Sequence, residues 1–154
     1  MNIRLITGSI MLTLLCLVSG CDDRLEVQQA YDFSLTSWYL QSTISRDETV
    51  EIRLTLNRSG DYEEAGYKIG YIQIAGSGEV YDKNKIRLVN REMQPLDSIA
   101  GLDNTDPCHQ VFTLFYHNRS SKNAEIKFVV TDNFGQERYL DIALGIETET
   151  GNEQ

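Results

Sequence analysis

Thiols and imidazoles are the side chains of this sequence that could act as nucleophiles, bases or metal ligands. There are three cysteines, Cys16, Cys21 and Cys108, and two histidines, His109 and His117. His109 follows Cys108 directly, and neighbouring side chains on an extended chain point to opposite faces, so the two do not form a nucleophile–base pair. The two histidines stand at opposite ends of one predicted strand and so lie about 26 Å apart at ~3.3 Å per residue, which argues against a metal ion bound by both. The sequence predicts no catalytic residues, no metal site and no cofactor.

A second candidate metal site lies within residues 91–109, the segment that holds both prolines of the chain. Asp103, Asn104 and Asp106 offer oxygen ligands of the kind that calcium prefers. Their spacing lacks the alternate-position pattern, the glycine and the downstream acid of an EF-type loop. We therefore expect a solvated irregular connection, of a length that is uncommon in compact domains.

Cys21 is the residue whose surroundings indicate a defined modification. Residues 1–20 carry one charge, which is basic and near the start, and an apolar stretch shorter than the ~20 residues of a membrane-spanning helix. The tripeptide Val-Ser-Gly at 18–20 then precedes the cysteine. This order resembles the bacterial lipoprotein box, in which the cysteine thiol takes a diacylglycerol and small residues admit the signal peptidase. We predict a lipoprotein signal peptide over residues 1–20 and lipidation of Cys21.

Cleavage before Cys21 would leave 134 residues with a formal charge of -10, because one basic residue leaves with the signal peptide. Two or more acyl chains on one cysteine give stable membrane anchoring. Asp22 and Asp23 follow it and are predicted to be sorting residues, with inner-membrane retention and surface export both open. We expect residues 21–31 to form a lipidated tether in the cell envelope, at the outer membrane, with the periplasmic and surface faces both open. Cys108 would remain as an unpaired thiol, most simply a small residue in a loop, with a nucleophile or a partner in an intermolecular bond as the alternatives.

The elements that must position any exposed group are predicted to be β-strands. Apolar and polar residues alternate over 50–56, the period of a half-buried strand. The run 112–116 is apolar on both faces and predicts a central strand. A first edge strand is expected over 32–40, and further strands or hairpins over 67–75, 80–81, 86–89, 126–130 and 140–146. Short strands without an amphipathic helix predict an all-β, antiparallel sandwich over residues 32–147, followed by a flexible acidic tail over 148–154.

Aromatic residues are the candidates for contacts with other molecules. Eight tyrosines and one tryptophan exceed what core filling requires. Because Tyr and Trp are favoured at interfaces, we predict a partner-contact patch at Trp38, Tyr39, Tyr62 and Tyr67, with Tyr71 as a further candidate. Packing between the sheets is the alternative for each of them. An excess of 23 acidic over 14 basic residues argues against a nucleic-acid groove.

Four segments carry a resemblance to a known family: CDDRLEVQQ at 21–29, ETVEIRLTL at 48–56, FTLFY at 112–116 and TDNFGQ at 131–136. Over residues 21–145 the chain resembles the TraQ family of conjugative-transposon lipoproteins from anaerobic gut bacteria. The resemblance implies an immunoglobulin-like β-sandwich, encoded among the transfer genes of a mobile element, and no enzymatic activity.

Two functions are therefore expected. The first is a lipid-anchored, non-enzymatic envelope component of a conjugative transfer apparatus, which contacts other apparatus proteins and binds no nucleic acid directly. The alternative is a surface lipoprotein that binds a ligand such as a glycan through aromatic loop residues.

Overall fold

The alternating segments form strands in the computed structural model, which describes residues 30–38 and 40–147. The strands found there are β1 (Phe33–Trp38), β2 (Thr43–Ile44), β3 (Thr49–Arg58), β4 (Tyr67–Ala75), β5 (Gly78–Tyr81), β6 (Arg87–Leu88), β7 (Gln94–Pro95), β8 (His109–Asn118), β9 (Ala124–Asp132) and β10 (Glu137–Ile146). A short 3-10 helix covers Leu96–Ser98. No helix within the two described ranges is long and apolar enough to cross a membrane.

Two five-stranded sheets form a sandwich, with strand orders β1-β3-β8-β5-β6 and β2-β10-β9-β4-β7. Taking β1, β3, β4, β5, β8, β9 and β10 in chain order as strands A to G gives one sheet with the order ABED and another with the order CFG. This is the constant-type immunoglobulin arrangement. The predicted all-β, immunoglobulin-like sandwich is confirmed.

The core lies between the sheets and consists of the inward residues of each strand. Ile52 and Leu54 of β3, Leu114 of β8 and Phe128 of β9 are fully buried. Burial of one such side chain contributes roughly 1.5–3 kcal/mol. Within the described residues the only cysteine is Cys108, a free thiol, so packing and hydrogen bonds hold these two sheets together.

The predicted strands agree closely with the observed ones. The edge strand expected over 32–40 is β1, the alternating run over 50–56 is β3, and the run 67–75 matches β4 residue for residue. The hairpin predicted over 80–89 is the antiparallel pair β5–β6. β8 is the middle strand of its sheet, as its two apolar faces predict.

Two features differ from the expectation. The two-residue strand β2 runs parallel to β10, so the sandwich is not purely antiparallel. The first half of segment 91–109 is not a solvated connection, because β7 pairs with β4 and the side chains of Leu96 and Ile99 are buried in the core. Leu96 begins the 3-10 helix and Ile99 follows it directly, so one short turn places both apolar side chains in the core.

The two ends of the sandwich are different environments. We call the end at which the described chain begins the proximal end. There Gln136 Nε2, in the turn between β9 and β10, donates a hydrogen bond to the carbonyl oxygen of Tyr31 (3.0 Å). At the opposite, distal end, Thr49 of β3 pairs with His117 of β8. The proximal pair of the same two strands is Asn57 with His109, about 26 Å away at ~3.3 Å per residue.

Candidate contact surfaces

Trp38 ends β1 with 69% of its surface exposed. Its cross-strand neighbour is Arg53 of β3, whose guanidinium carbon lies 5.4 Å from the centre of the indole ring. A cation over an indole face is an attractive contact, so Arg53 orients the ring without covering it. Trp38 is therefore an exposed aromatic side chain held in a defined position.

The strand that carries Trp38 also has an unpaired edge. Ser59 N–H donates to the carbonyl oxygen of Asp32 (2.9 Å), so the even-numbered residues of β1 face β3. The backbone groups of Leu35 and Ser37 consequently point to the other side, where no strand described by the structure pairs with them. The carbonyl oxygen of Phe33 on that side accepts from Arg138 Nε (3.0 Å).

Strand edges in this domain differ in how well they resist pairing with another chain. β2, β6 and β7 are only two residues long. The first part of β10 has no described strand paired on one side but carries Glu137, Arg138 and Asp141, and charges discourage edge pairing. β1, with the sequence FSLTSW, has six residues and neither a charge nor a proline. Among the described strands, β1 is therefore the edge best suited to accept a partner strand.

The other predicted contact aromatics lie elsewhere. Tyr62 stacks on Tyr31 at the proximal end, with ring centres 3.3 Å apart. Tyr67 packs edge-on against Phe33 (5.1 Å) and lies under the guanidinium of Arg58 (5.3 Å). Burial raises the pKa of the Tyr67 hydroxyl. Both rings are thus occupied by neighbours within the domain.

The structure does not bring the predicted aromatics into one patch. Phe33 and Trp38 are at opposite ends of β1, about 16 Å apart at ~3.3 Å per residue. Tyr71 is 2% exposed and belongs to the core, so its proposed exposure is wrong. Tyr39, Cys21, Asp22 and Asp23 lie outside the described residues.

The loop before β8 satisfies its own acidic groups. Asp106 accepts from the backbone N–H of Cys108 (2.8 Å) and pairs with His109 Nδ1 (2.9 Å). Asp103 accepts from the hydroxyl and the N–H of Thr105. These bonds lower the pKa of both carboxyl groups, with the His109 and Thr105 side chains as the largest causes. No cluster of three or more acidic, cysteine or histidine groups suited to a metal occurs in the described part of the chain.

The outer face of the second sheet carries an apolar surface that the sequence-based prediction missed. Gly70, Val129 and Tyr139 are cross-strand neighbours on β4, β9 and β10. Val129 is only 6% exposed although it points away from the core, because Met93 and Tyr139 line the shallow groove around it. Ile72 and Ile74, which lie on the face of β4 opposite to Tyr71, were the sequence feature that could have predicted an apolar outer face.

The outer face of the first sheet carries a groove of about 340 Å³ near the distal end. Its lining includes Phe115, Tyr81, His117 and Thr49. Thr49 Oγ1 is 2.9 Å from His117 Nδ1. Lys83 and Lys85, on the turn between β5 and β6, complete the lining together with Asp82. This groove was not predicted, although two lysines in a short turn and a strand with an outward-facing Phe were visible in the sequence.

Known structures show the same fold. A conjugative transposon lipoprotein from Bacteroides eggerthii superposes with a TM-score of 0.62 at 24% identity, over 75% of this chain and 98% of that one. A lipoprotein from Bacteroides thetaiotaomicron superposes with a TM-score of 0.60 at 25% identity, over 86% of this chain and 96% of that one. A conjugate transposon protein from Bacteroides vulgatus superposes with a TM-score of 0.61 at 26% identity, over 86% of this chain and 98% of that one.

Sequence comparison gives the family. A comparison with curated proteins finds no match. The sequence model of the family described as TraQ conjugal transfer protein matches residues 4–145, which include the segment before Cys21 as well as all ten strands except the last residue of β10. The chain therefore belongs to the TraQ conjugal transfer protein family.

Proposed function

We propose that this chain is a lipid-anchored, non-enzymatic envelope component of a conjugative-transposon transfer apparatus, and that it acts through contacts with other apparatus proteins. Family membership supports the process. Two of the similar solved structures are described as lipoproteins, which supports anchoring through Cys21. The anchor holds the domain at the outer membrane, residues 21–31 act as the lipidated tether, and Asp22 and Asp23 direct sorting.

The observation that carries the contact mode is Trp38 at the end of an uncharged edge strand. A rigid, exposed indole is the type of side chain that dominates the energy of protein interfaces. The adjacent unpaired edge offers the backbone groups of Ser37, which is exposed, to an extended segment, whereas Leu35 on the same edge is only 6% exposed. Tethering to a membrane raises the effective concentration of such a surface near its partners, so a weak contact suffices. The net charge of -9 disfavours contact with the transferred DNA itself.

Gene deletion and complementation test this proposal. Deletion should reduce transfer of the element without slowing growth, and the wild-type gene should restore it. Trp38→Ser should fail to restore transfer at equal protein level, whereas Tyr139→Ser should restore it, because Tyr139 is also exposed but lies on the other sheet. Unchanged transfer after deletion would refute the role in the apparatus. Equal complementation by the two variants would refute the contact at β1.

Anchoring has its own test. Cys21→Ser should move the protein from the membrane fraction to the soluble fraction and abolish labelling by a fatty-acid probe. Retention of both properties in the variant would refute lipidation at Cys21. Protease treatment of intact cells then reports the face: digestion of the wild-type protein places the domain on the cell surface, and protection places it in the periplasm.

A further inference from the structure

The groove on the outer face of the first sheet combines an apolar floor with unpaired cations. Phe115 and Tyr81 are cross-strand neighbours on β8 and β5, so their rings lie side by side on this face. Thr49 and His117, the next pair towards the distal end, offer a hydroxyl and an imidazole. A cavity of about 340 Å³ is within the size range of small-molecule sites, which are typically apolar with a few placed polar groups.

The turn that carries Lys83 and Lys85 is held rigidly. Asp82 is buried, and its Oδ1 accepts from the backbone N–H groups of Asn84 (2.9 Å) and Ile86 (2.8 Å). Its Oδ2 accepts from the N–H of Ala100 (3.2 Å). A loop fixed in advance loses less entropy when a ligand binds. The backbone from which the two lysine side chains extend is therefore preorganised.

Lys85 has a backbone conformation that is unfavourable for a residue with a Cβ atom. Its φ is 63°, in the left-handed region. The turn after β9 has the same hydrogen-bond pattern, since Asp132 Oδ1 accepts from the N–H groups two and four residues on, and there the equivalent position is Gly135 (φ 83°). A lysine at the position where the matching turn has glycine is consistent with a role for its side chain.

The charges around the groove leave the lysines free. Neither Lys83 nor Lys85 forms an ion pair with any residue that the structure describes. Glu79 is already engaged by Arg87 (2.9 Å), by Arg119 (3.4 Å) and by the hydroxyl of Tyr81. Glu51, the cross-strand neighbour of Phe115, is a further carboxylate on this face.

From this arrangement we propose that the groove binds a small sugar acid, a single ring with one carboxylate. The apolar face of the ring packs on Phe115 and Tyr81, the ring hydroxyls bond to Thr49 and His117, and the carboxylate pairs with Lys83 and Lys85. A long polyanion is disfavoured, since the domain as a whole is acidic. The proposal uses residues distinct from Trp38 and β1, and it does not depend on the transfer function.

Equilibrium dialysis of the detergent-solubilised full-length lipoprotein against labelled glucuronate tests the proposal. We expect retention of glucuronate, and weaker retention of glucose and of cyclohexanecarboxylate, which lack the carboxylate and the hydroxyls respectively. The double variant Lys83→Gln/Lys85→Gln should weaken binding about tenfold or more. Glu51→Gln should strengthen it about twofold, because a nearby like charge is removed. Lys68→Gln, a charge change on the opposite sheet, should leave it unchanged.

Several outcomes would overturn the proposal. Absence of glucuronate retention, or equal retention of glucose, would show that the lysines do not select a carboxylate. Equal retention of cyclohexanecarboxylate would refute a sugar as the ligand. Unaltered binding in the double variant would place the ligand elsewhere. Circular dichroism of each variant separates lost binding from lost folding, and Phe115→Leu, which removes the aromatic floor while keeping an apolar residue, should also weaken binding.

Discussion

Gln73 Nε2 donates a hydrogen bond to the phenolic oxygen of Tyr116 (3.2 Å), and this bond joins the two sheets, since Gln73 is on β4 and Tyr116 on β8. Tyr116 has no exposed surface. The same amide nitrogen also donates to the carbonyl oxygen of Ala75 (2.6 Å). In immunoglobulin domains a disulfide links the sheets, whereas here a buried polar contact and the surrounding side chains do so.

Tyr116→Phe should lower the free energy of unfolding by about 1 kcal/mol, because the ring is kept and one buried hydrogen bond between the sheets is lost. Urea unfolding followed by circular dichroism gives this value. Tyr139→Phe is the matched control: its hydroxyl bonds only to Glu137 at the surface, and the change should cost less than ~0.5 kcal/mol. Equal effects of the two substitutions would show that the Gln73–Tyr116 bond adds nothing to stability.

Much of the fold follows from the two-residue period of the apolar side chains. The alternation of buried residues such as Ile52 and Leu54 with exposed ones predicts β3, and the same alternation predicts most of the long strands. The period cannot reveal β2 or β7, which have two residues each and exist because a neighbouring strand pairs with them. Nor can it identify Gln73, whose polar side chain looks like that of a solvent-facing position until Tyr116 is placed opposite.

Asn118→Ala should lower the free energy of unfolding by about 2 kcal/mol. The side chain is fully buried at the distal end; its Nδ2 donates to the carbonyl oxygens of Ser120 (2.8 Å) and Ser45 (3.1 Å), and its Oδ1 accepts from Ser120 N–H. Removal leaves these backbone groups without their partner. Asn57→Ala, which loses one exposed bond to Thr36, serves as the control in thermal or urea unfolding. A loss for Asn118 no larger than for Asn57 would contradict this account.

The two matching turns allow a reciprocal test of backbone strain. Gly135→Ala should destabilise the domain by about 1 kcal/mol, since a Cβ there meets no atom within 4 Å and only the left-handed backbone opposes it. Lys85→Gly should relieve the corresponding strain and stabilise by up to about 1 kcal/mol, reduced by the greater entropy of glycine in the unfolded chain. Urea unfolding of both variants measures these values. Destabilisation by Lys85→Gly would show that the lysine stem supports the fold.

The contact surfaces were harder to predict than the fold, because exposure depends on which rings meet. Trp38 and Tyr62 are both predicted contact residues, yet Trp38 is exposed on an edge strand and Tyr62 stacks on Tyr31. The groove combines Tyr81 and Lys85, from β5 and the turn after it, with Phe115 of β8, which lies about thirty residues further along the chain. Only the strand register, which the sequence alone does not give, places them side by side.

Glu48 should make the domain more stable at neutral than at acidic pH. Its carboxylate accepts from the backbone N–H of Ser45 (2.7 Å) and from the Gln41 amide (3.1 Å), and these bonds lower its pKa from the usual 4.5, with the Ser45 bond as the largest cause. A carboxyl group with a lowered folded-state pKa contributes stability above its unfolded pKa and loses it as the pH falls through the folded value. Glu48→Gln should therefore lower Tm at pH 7, and the difference from the wild type should disappear near pH 3. Glu63→Gln, at an exposed position, controls for the charge change. A Tm difference that persists unchanged at acidic pH would mean that Glu48 acts through packing and not through its charge.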